Sequence, residues 1–216
     1  MNLASLYANR FDAADLAWKR EVWAELWAHF FSRYITPGDT LVDLGAGYCE
    51  LVNVARAKRK IAVDLREDLA SLAAPGVETR QVPAHQLDFL RDGEADVVFT
   101  SNFLEHLPDK ATLTAVATEV KRVLKPGGLF IIVGPNVRLL PGSYWDYFDH
   151  QLPLTERSVS ELLTLSGFEL SEVVARFLPY TLKSSAPRWR GLVRAYLALR
   201  PAWKVFGKQF LVVART

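Results

Sequence analysis

Between residues 40 and 135, short strand-like segments alternate with helix-like segments, and no other feature of the sequence constrains the fold as strongly. The strand-like segments are rich in apolar and β-branched residues and lie at 40–45, 60–65, 77–82, 96–102 and 129–135. The clearest helix among them is predicted over 111–124. Strands that alternate with helices form βαβ units, in which the strands pair in parallel. The sequence therefore predicts an α/β protein with a mostly parallel sheet.

The two ends of the chain depart from this alternation. Residues 15–34 place Trp23, Leu26 and Phe30 at helical spacing and predict an amphipathic helix. The chain finishes on a strand-like segment, 209–216. A strand that follows a long excursion is suited to an antiparallel position, so we expect this one at the edge of the sheet.

Length and composition predict one globular domain. Apolar residues make up 50% of the 216 residues and charged residues 23%, which excludes a disordered chain or a disulfide scaffold. The only cysteine, Cys49, has no partner for an internal disulfide, and no signal peptide or membrane-length apolar run is visible, so we expect a cytoplasmic protein. We predict a single domain over 1–216, with a helical extension over 1–36 and a basic insert over 180–208.

The insert lies in a strongly cationic region. After Glu172 the sequence contains no acidic residue but nine lysines and arginines. One interpretation is that the apolar side of the insert packs beside the last strand while its basic side is solvated. The other is a peripheral contact with an anionic membrane or a phosphate-bearing acceptor, made together with the helix predicted over 15–34.

The stretch 41-LVDLGAGYCE-50 predicts a ligand site where the first strand ends. Glycines at such a strand-to-helix turn let the backbone approach a ligand closely, and Asp64 follows about twenty residues later, where a carboxylate can accept the hydroxyls of a ribose. A dinucleotide-binding turn has a third glycine where this chain has Glu50, so the acid argues against a bound pyrophosphate. S-adenosylmethionine has a ribose, no phosphate and two cationic groups that Asp43 and Glu50 would favour. Alternatively, Asp43 only stabilises the turn and Asp64 is a solvated strand end.

These motifs are similar to those of class I S-adenosylmethionine-dependent methyltransferases. The resemblance rests on VDLGAGYCE, 61-IAVDL-65, 96-DVVFTSNFLEHL-107 and 124-LKPGGLFIIVGPN-136. It implies S-adenosylmethionine as cofactor and a Rossmann-like, seven-stranded, mostly parallel sheet with an antiparallel C-terminal strand and helices on both faces. The cofactor-binding residues that it implies are Asp43, Gly45, Ala46, Gly47, Asp64, Leu65, Ala84, His85, Asn102, Phe103 and Leu104.

The chain departs from the family pattern at two positions. Cys49 stands where many members have a further glycine, and Pro83 stands where an aspartate often contacts the adenine amino group. Adenine would then be recognised by backbone groups near Ala84 or by His85. The residue pattern of segment 134–155, together with both ends of the chain, resembles the methyltransferases of bacterial surface-glycan and small-molecule biosynthesis.

Two histidines are candidate catalytic bases, because both should lie beyond the carboxyl ends of the strands. His106 follows the fourth strand, and His150 follows the fifth beside an aromatic, partly acidic patch that includes Tyr144, Trp145, Tyr147 and Asp149. His29 lies in the predicted N-terminal helix. The histidines show no zinc-like spacing, so no metal site is predicted.

The resemblance and these residues predict methyl transfer to a small-molecule or glycan acceptor, at oxygen. The alternatives are an RNA or protein methyltransferase, which the basic C-terminal region suggests, and a module that binds the cofactor without catalysis. We expect no nucleic-acid partner, because no nucleic-acid-binding motif is recognisable. A nicotinamide dehydrogenase is disfavoured by Glu50.

Overall fold

The computed structural model of the chain describes residues 12–180 and 188–216. Parts of the predicted helical extension and of the basic insert, residues 1–11 and 181–187, lie outside the described residues. The helices are α1 (Ala13–His29), α2 (Glu50–Val54), α3 (Leu69–Leu72), α4 (Lys110–Val123), α5 (Glu156–Leu165), α6 (Arg190–Ala198) and α7 (Arg200–Phe206). The strands are β1 (Thr40–Leu44), β2 (Arg59–Val63), β3 (Val77–Arg80), β4 (Ala95–Ser101), β5 (Leu124–Pro135), β6 (Glu169–Val174) and β7 (Gln209–Arg215).

The strands form one seven-stranded sheet in the order β3-β2-β1-β4-β5-β7-β6. Strands β1 to β5 pair in parallel, and β7 is antiparallel to both of its neighbours. This confirms the predicted fold class. The expected edge position of the last strand is wrong, because β7 lies between β5 and β6. Six of the seven β7 residues are buried, whereas β6 has exposed positions, so the more polar strand takes the edge.

Successive residues of the central strands point to opposite faces of the sheet and feed two hydrophobic cores. On one face Val98 and Ile132 pack with side chains of α4 and α5. On the other face Phe99 and Ile131 pack with side chains of α1, α2, α6 and α7. Helices therefore cover both faces.

Helix α1 begins where the Asp12 side chain accepts a hydrogen bond from the Asp15 backbone N–H (2.7 Å), as an N-cap does. Its buried residues include Trp23 and Leu26, and the Trp23 ring meets the Phe99 ring of β4 edge to face. The predicted helix over 15–34 is thus shorter at its end, and a 3-10 turn, Phe31–Arg33, follows it. Within the described ranges, no helix is long and apolar enough to cross a membrane.

Helices α6 and α7 form the described part of the basic insert, for which the sequence predicted no secondary structure. They pack on the same face as α1 through Leu197 and Trp203. The insert is therefore, in its described part, a pair of short helices above the sheet.

Candidate active site

A cavity of about 1490 Å³ opens at the edge of the sheet where β1, β2, β3, β4 and β5 end. Its floor is formed by residues that follow those strands, and its roof by α1, α6 and α7. Because the carboxyl ends of parallel strands meet at one edge, residues far apart in the sequence converge here. Most of the predicted site residues line this cavity: Asp43, Gly45, Ala46, Gly47, Asp64, Leu65, Ala84, His85, Asn102, Phe103, His106 and His150.

Hydrogen bonds tie the glycine turn to the end of β2. The N–H groups of Gly45 and Ala46 donate to the carbonyl oxygen of Val63 (2.8 and 3.0 Å), and the Gly47 N–H donates to Asp64 Oδ2 (2.8 Å). Gly45 has φ +69°, and a Cβ there would lie 2.2 Å from the Phe103 ring. Gly47 has φ +52°, but among the described residues no atom beyond its chain neighbours lies within 4 Å of its Cβ position. The turn thus has one glycine that packs against protein and one that faces open space.

Cys49 has the backbone conformation of a glycine, φ 60° and ψ 30°. This accounts for the family's use of glycine at the position, because only glycine adopts that conformation without steric cost. The side chain is fully buried against Val52 and Ala62. Burial, with the nearby carboxylates, raises the pKa of the thiol to about 12, so Cys49 is a core residue and not a nucleophile.

Three carboxyl groups surround the turn. Asp43 is buried, and desolvation together with the charges of Glu50 and Asp64 raises the pKa of its carboxyl to about 8, although the Val52 N–H donates to it (3.2 Å). Glu50 pairs with Lys19 of α1 at 2.6 Å. The concentration of acids would favour a cationic ligand, as S-adenosylmethionine is.

Asp64 serves the turn as well as the cavity. Its two carboxylate oxygens accept the N–H groups of Gly47 (2.8 Å) and Arg66 (3.0 Å). A carboxylate has about four acceptor positions, so each oxygen can also accept a ribose hydroxyl. Asp64 is therefore more than a solvated strand end, and its loss would loosen the turn too.

Of the three residues predicted to contact the cofactor after β4, two line the cavity and one does not. Asn102, with φ 50°, and Phe103 line the cavity. Leu104 does not: it is buried in the core beside α4, because the 3-10 turn Leu104–His106 points it away from the cavity. On the opposite wall, Leu65, Ala84 and His85 line the region where the resemblance would put adenine.

The two candidate bases lie side by side. The rings of His106 and His150 are 5.0 Å apart between centroids. His106 Nδ1 lies 3.1 Å from both the carbonyl oxygen and a carboxylate oxygen of Asp149, so Nδ1 carries the proton and Nε2 is the basic nitrogen. Burial acts to lower the pKa of His106, but the Asp149 hydrogen bond and the Glu105 charge outweigh it and raise the pKa.

Only some residues of the predicted aromatic patch line the cavity. Tyr147 stacks on the His150 ring and lines the cavity with Asp149. Tyr144 is instead fully buried and donates its hydroxyl to the Leu152 carbonyl oxygen, while Trp145 is exposed and does not line the cavity. Sequence reasoning also missed Glu105, a buried acid beside His106; its position next to a candidate base was the available signal.

The apolar roof of the cavity comes from α1, α6, the residue between α6 and α7, and α7. The sequence showed that these segments have apolar sides, but not that they cover the ends of the strands. Its residues are Trp18, Val22, Trp23, Leu26, Leu192, Val193, Tyr196, Leu199 and Phe206. Glu25 of α1, only 2% exposed, holds α6 through Arg190 (2.6 Å) and Arg194 (2.5 Å). The cations of the insert are therefore neutralised in part by acids that lie far away in the sequence.

Comparisons with known proteins agree with this geometry. Residues 42–132 match the family model described as a methyltransferase domain. A probable S-adenosylmethionine-dependent methyltransferase from Mycolicibacterium smegmatis is 33% identical to this chain; the aligned region covers 62% of this chain and 52% of the relative. A ubiquinone biosynthesis O-methyltransferase from Methylococcus capsulatus is 37% identical, and the aligned region covers 42% of this chain and 41% of the relative. The crystal structure of a methyltransferase from Archaeoglobus fulgidus superposes with a TM-score of 0.65 at 19% identity, over 92% of this chain and 94% of that one.

The fold, the glycine turn and the match over residues 42–132 agree with the class I S-adenosylmethionine-dependent methyltransferases that the sequence resembles. The chain spans about half the length of the curated relatives that it matches. S-adenosylmethionine is the cofactor of the class, and the open space beside Gly47 and the acids around the turn fit it.

Proposed function

We propose that this protein transfers the methyl group of S-adenosylmethionine to an oxygen atom of a small amphipathic molecule. The carrying observation is the continuity of the cavity, which runs from the glycine turn past His106 and His150 to the apolar roof. At about 1490 Å³ it exceeds the roughly 300–1,000 Å³ of an ordinary small-molecule site, so it has room for cofactor and acceptor together.

The chemistry is a direct displacement, which mainly requires alignment of the acceptor oxygen, the methyl carbon and the sulfur. The turn would hold the cofactor, with Asp64 on its ribose. The acceptor hydroxyl would lie beside His106 and His150, on the far side of the methyl group from the sulfur. His106 Nε2 would accept the proton of this hydroxyl, because the hydrogen bond to Asp149 keeps the ring's own proton on Nδ1.

The apolar roof supports an acceptor with a hydrocarbon tail, and a lipid-linked glycan satisfies this as well as a prenylated ring does. The name of the Methylococcus capsulatus relative, which refers to O-methylation in ubiquinone biosynthesis, agrees with such an acceptor. The pairing of Arg190 and Arg194 with Glu25 weakens the case for RNA, because those cations are already engaged within the protein.

The test uses methyl-labelled S-adenosylmethionine and matched acceptors: a prenylated hydroxybenzene, the same ring without its tail, a lipid-linked sugar, a sugar nucleotide and total RNA. We expect label in a tailed acceptor, with a lower KM than for its tailless counterpart. Val193→Asp, in the roof, should raise that KM, whereas Val205→Asp, exposed on α7 and outside the cavity, should not. Label in RNA or in protein would contradict the proposal, and cofactor binding without transfer to any acceptor would indicate a non-catalytic module.

A further inference from the structure

A carboxylate and two imidazoles converge on one point of the cavity wall. One oxygen of Glu105 and one nitrogen each of His106 and His150 lie within 4.8 Å of one another. All three side chains line the cavity, and Glu105 and His150 are buried. Histidine spacing along the chain gave no sign of such a group, because His106 and His150 belong to different loops.

The two loops that supply these side chains are fastened to each other. The Glu105 carbonyl oxygen accepts the N–H groups of Gln151 (2.8 Å) and Leu152 (3.0 Å), and His106 Nδ1–H donates to Asp149. The two backbone hydrogen bonds just after His150 and the His106 side-chain hydrogen bond to Asp149 just before it thus fix the loop after β5 to the 3-10 turn after β4. Such rigid support is what a metal centre needs, since its ligands must be held in place before the ion binds.

The atoms and distances suit a divalent transition metal. His106 Nε2 and Glu105 Oε1 are 3.8 Å apart, which is longer than a hydrogen bond. Two ligands at roughly 2.0–2.1 Å from a tetrahedral Zn²⁺ are about 3.3 Å apart, so this pair is close to the spacing of zinc ligands. The His150 donor lies within 4.8 Å of both and would have to move closer to coordinate the same ion. Asp149 on His106 Nδ1 matches the carboxylate that commonly orients a metal-binding histidine.

We propose that Glu105, His106 and His150 form a binding site for one zinc-type divalent ion, with its fourth position open to the cavity. Two histidines and one glutamate are a ligand set of catalytic zinc, in which water or substrate takes the remaining position. The sequence-based expectation of no metal site would then be wrong, because it considered spacing along the chain and not convergence in space.

The role of the ion rests on the proposed function, whereas its binding does not. An acceptor hydroxyl in the open position would lose its proton to water more easily, since a bound cation stabilises the oxyanion. The oxyanion then attacks the methyl carbon: the O–C bond forms, the S–C bond breaks, and the sulfonium becomes the neutral thioether S-adenosylhomocysteine. With the ion bound, His106 and His150 act as ligands, so the proton leaves to solvent and not to His106 Nε2, which takes it only in the metal-free protein.

The chain offers a matched set of variants, because it contains four histidines and only two lie in the cluster. Tag-free full-length protein is titrated with Zn²⁺ against a metallochromic indicator, and with Co²⁺ while its visible absorption is recorded. We expect one ion per chain, an affinity reduced by about tenfold or more in His106→Gln, His150→Gln and Glu105→Gln, and loss of the Co²⁺ bands. His29→Gln and His85→Gln should bind as the wild type does. Thermal unfolding of each variant shows whether it is folded, and Glu105→Asp replaces Glu105→Gln if the latter is not.

Absence of stoichiometric Zn²⁺ binding by the wild type, or unchanged binding by folded His106→Gln and His150→Gln, would overturn the proposal. Cofactor binding is measured separately on the same samples. A protein that binds Zn²⁺ through the cluster but methylates no acceptor would support the metal site and refute the proposed function. A protein that methylates an acceptor but does not bind Zn²⁺ would support the proposed function and refute the metal site.

Discussion

At the scale of single residues, the two glycines of the cofactor turn both have a positive φ but differ in their surroundings. Gly45 lacks room for a side chain because the Phe103 ring occupies it, whereas Gly47 faces open cavity. The sequence alone predicted both as ligand-facing. It could not distinguish them, because the residue that fills the space beside Gly45 comes from the loop after a different strand.

Gly47→Ala should therefore weaken binding of S-adenosylhomocysteine by about tenfold or more, which corresponds to ~1.4 kcal/mol, since the new methyl group would occupy cofactor space. The matched control is Gly76→Ala, which has φ +84°, open surroundings and a position outside the cavity. Both variants carry the roughly 1–2 kcal/mol cost of a left-handed alanine. Calorimetric titration and thermal unfolding measure the two effects, and equal affinities in the two variants would remove Gly47 from the cofactor site.

Asp43 should release a proton when the cofactor binds. With its pKa raised to about 8 by burial and by Glu50 and Asp64, the carboxyl is largely protonated at pH 7 in the cofactor-free protein. A cationic ligand lowers that pKa and expels the proton. Calorimetry at pH 7 in two buffers of different ionisation enthalpy should show proton release.

Two comparisons sharpen this experiment. Release should be larger for S-adenosylmethionine than for S-adenosylhomocysteine, because only the former has the sulfonium charge. It should disappear in Asp43→Asn, whose amide oxygen can still accept the Val52 N–H. Binding heats that do not depend on the buffer in the wild type would contradict this role for Asp43.

At the scale of helices and strands, local sequence patterns predicted where the elements lie in the chain better than which elements pack against each other. The parallel strands and α4 were predicted from their apolar periodicity alone. The position of β7 inside the sheet and the docking of α6 on α1 depend on contacts between distant segments. Glu25, the acid that holds α6, lies well before the insert in the sequence, so a count of charges within the insert suggested a fully cationic surface.

Glu25→Gln should loosen the roof of the cavity. The variant loses the charge that pairs with Arg190 and Arg194; because these guanidinium groups are about half exposed, we expect only a small loss of overall stability. Hydrogen exchange should become faster in α1 and α6 and stay unchanged in β4 and β5. Glu21→Gln, on the exposed side of the same helix, is the control.

The pH dependence of this effect has a definite sign. Hydrogen bonds from Arg194 and Arg190 outweigh burial and lower the pKa of Glu25 from 4.5 to about 2. A carboxyl with a lowered pKa in the folded state stabilises the protein above its unfolded pKa. The stability difference between wild type and Glu25→Gln should therefore shrink as the pH falls from 4.5 toward 2, and a constant difference would argue against the ion pair.

At the scale of the whole molecule, one cavity joins the ends of five strands to three helices from both ends of the chain. The strand-end half of this cavity was predictable, because motifs at the carboxyl ends of strands have fixed places in an α/β sheet. The helical half and the Glu105–His106–His150 cluster were not, since they arise only when distant segments pack together. Leu199, between α6 and α7, and Phe206, at the end of α7, are exposed apolar residues that line this cavity.

The central claim is that this cavity takes S-adenosylmethionine and not a dinucleotide. Competition binding tests it most directly: wild-type protein is titrated with S-adenosylmethionine, and then S-adenosylhomocysteine and NAD are each added as competitors. We predict one S-adenosylmethionine per chain, displaced by S-adenosylhomocysteine and unaffected by a large excess of NAD, because Glu50 stands where a dinucleotide-binding turn has its third glycine. Displacement by NAD, or failure of S-adenosylmethionine to bind at all, would contradict the account.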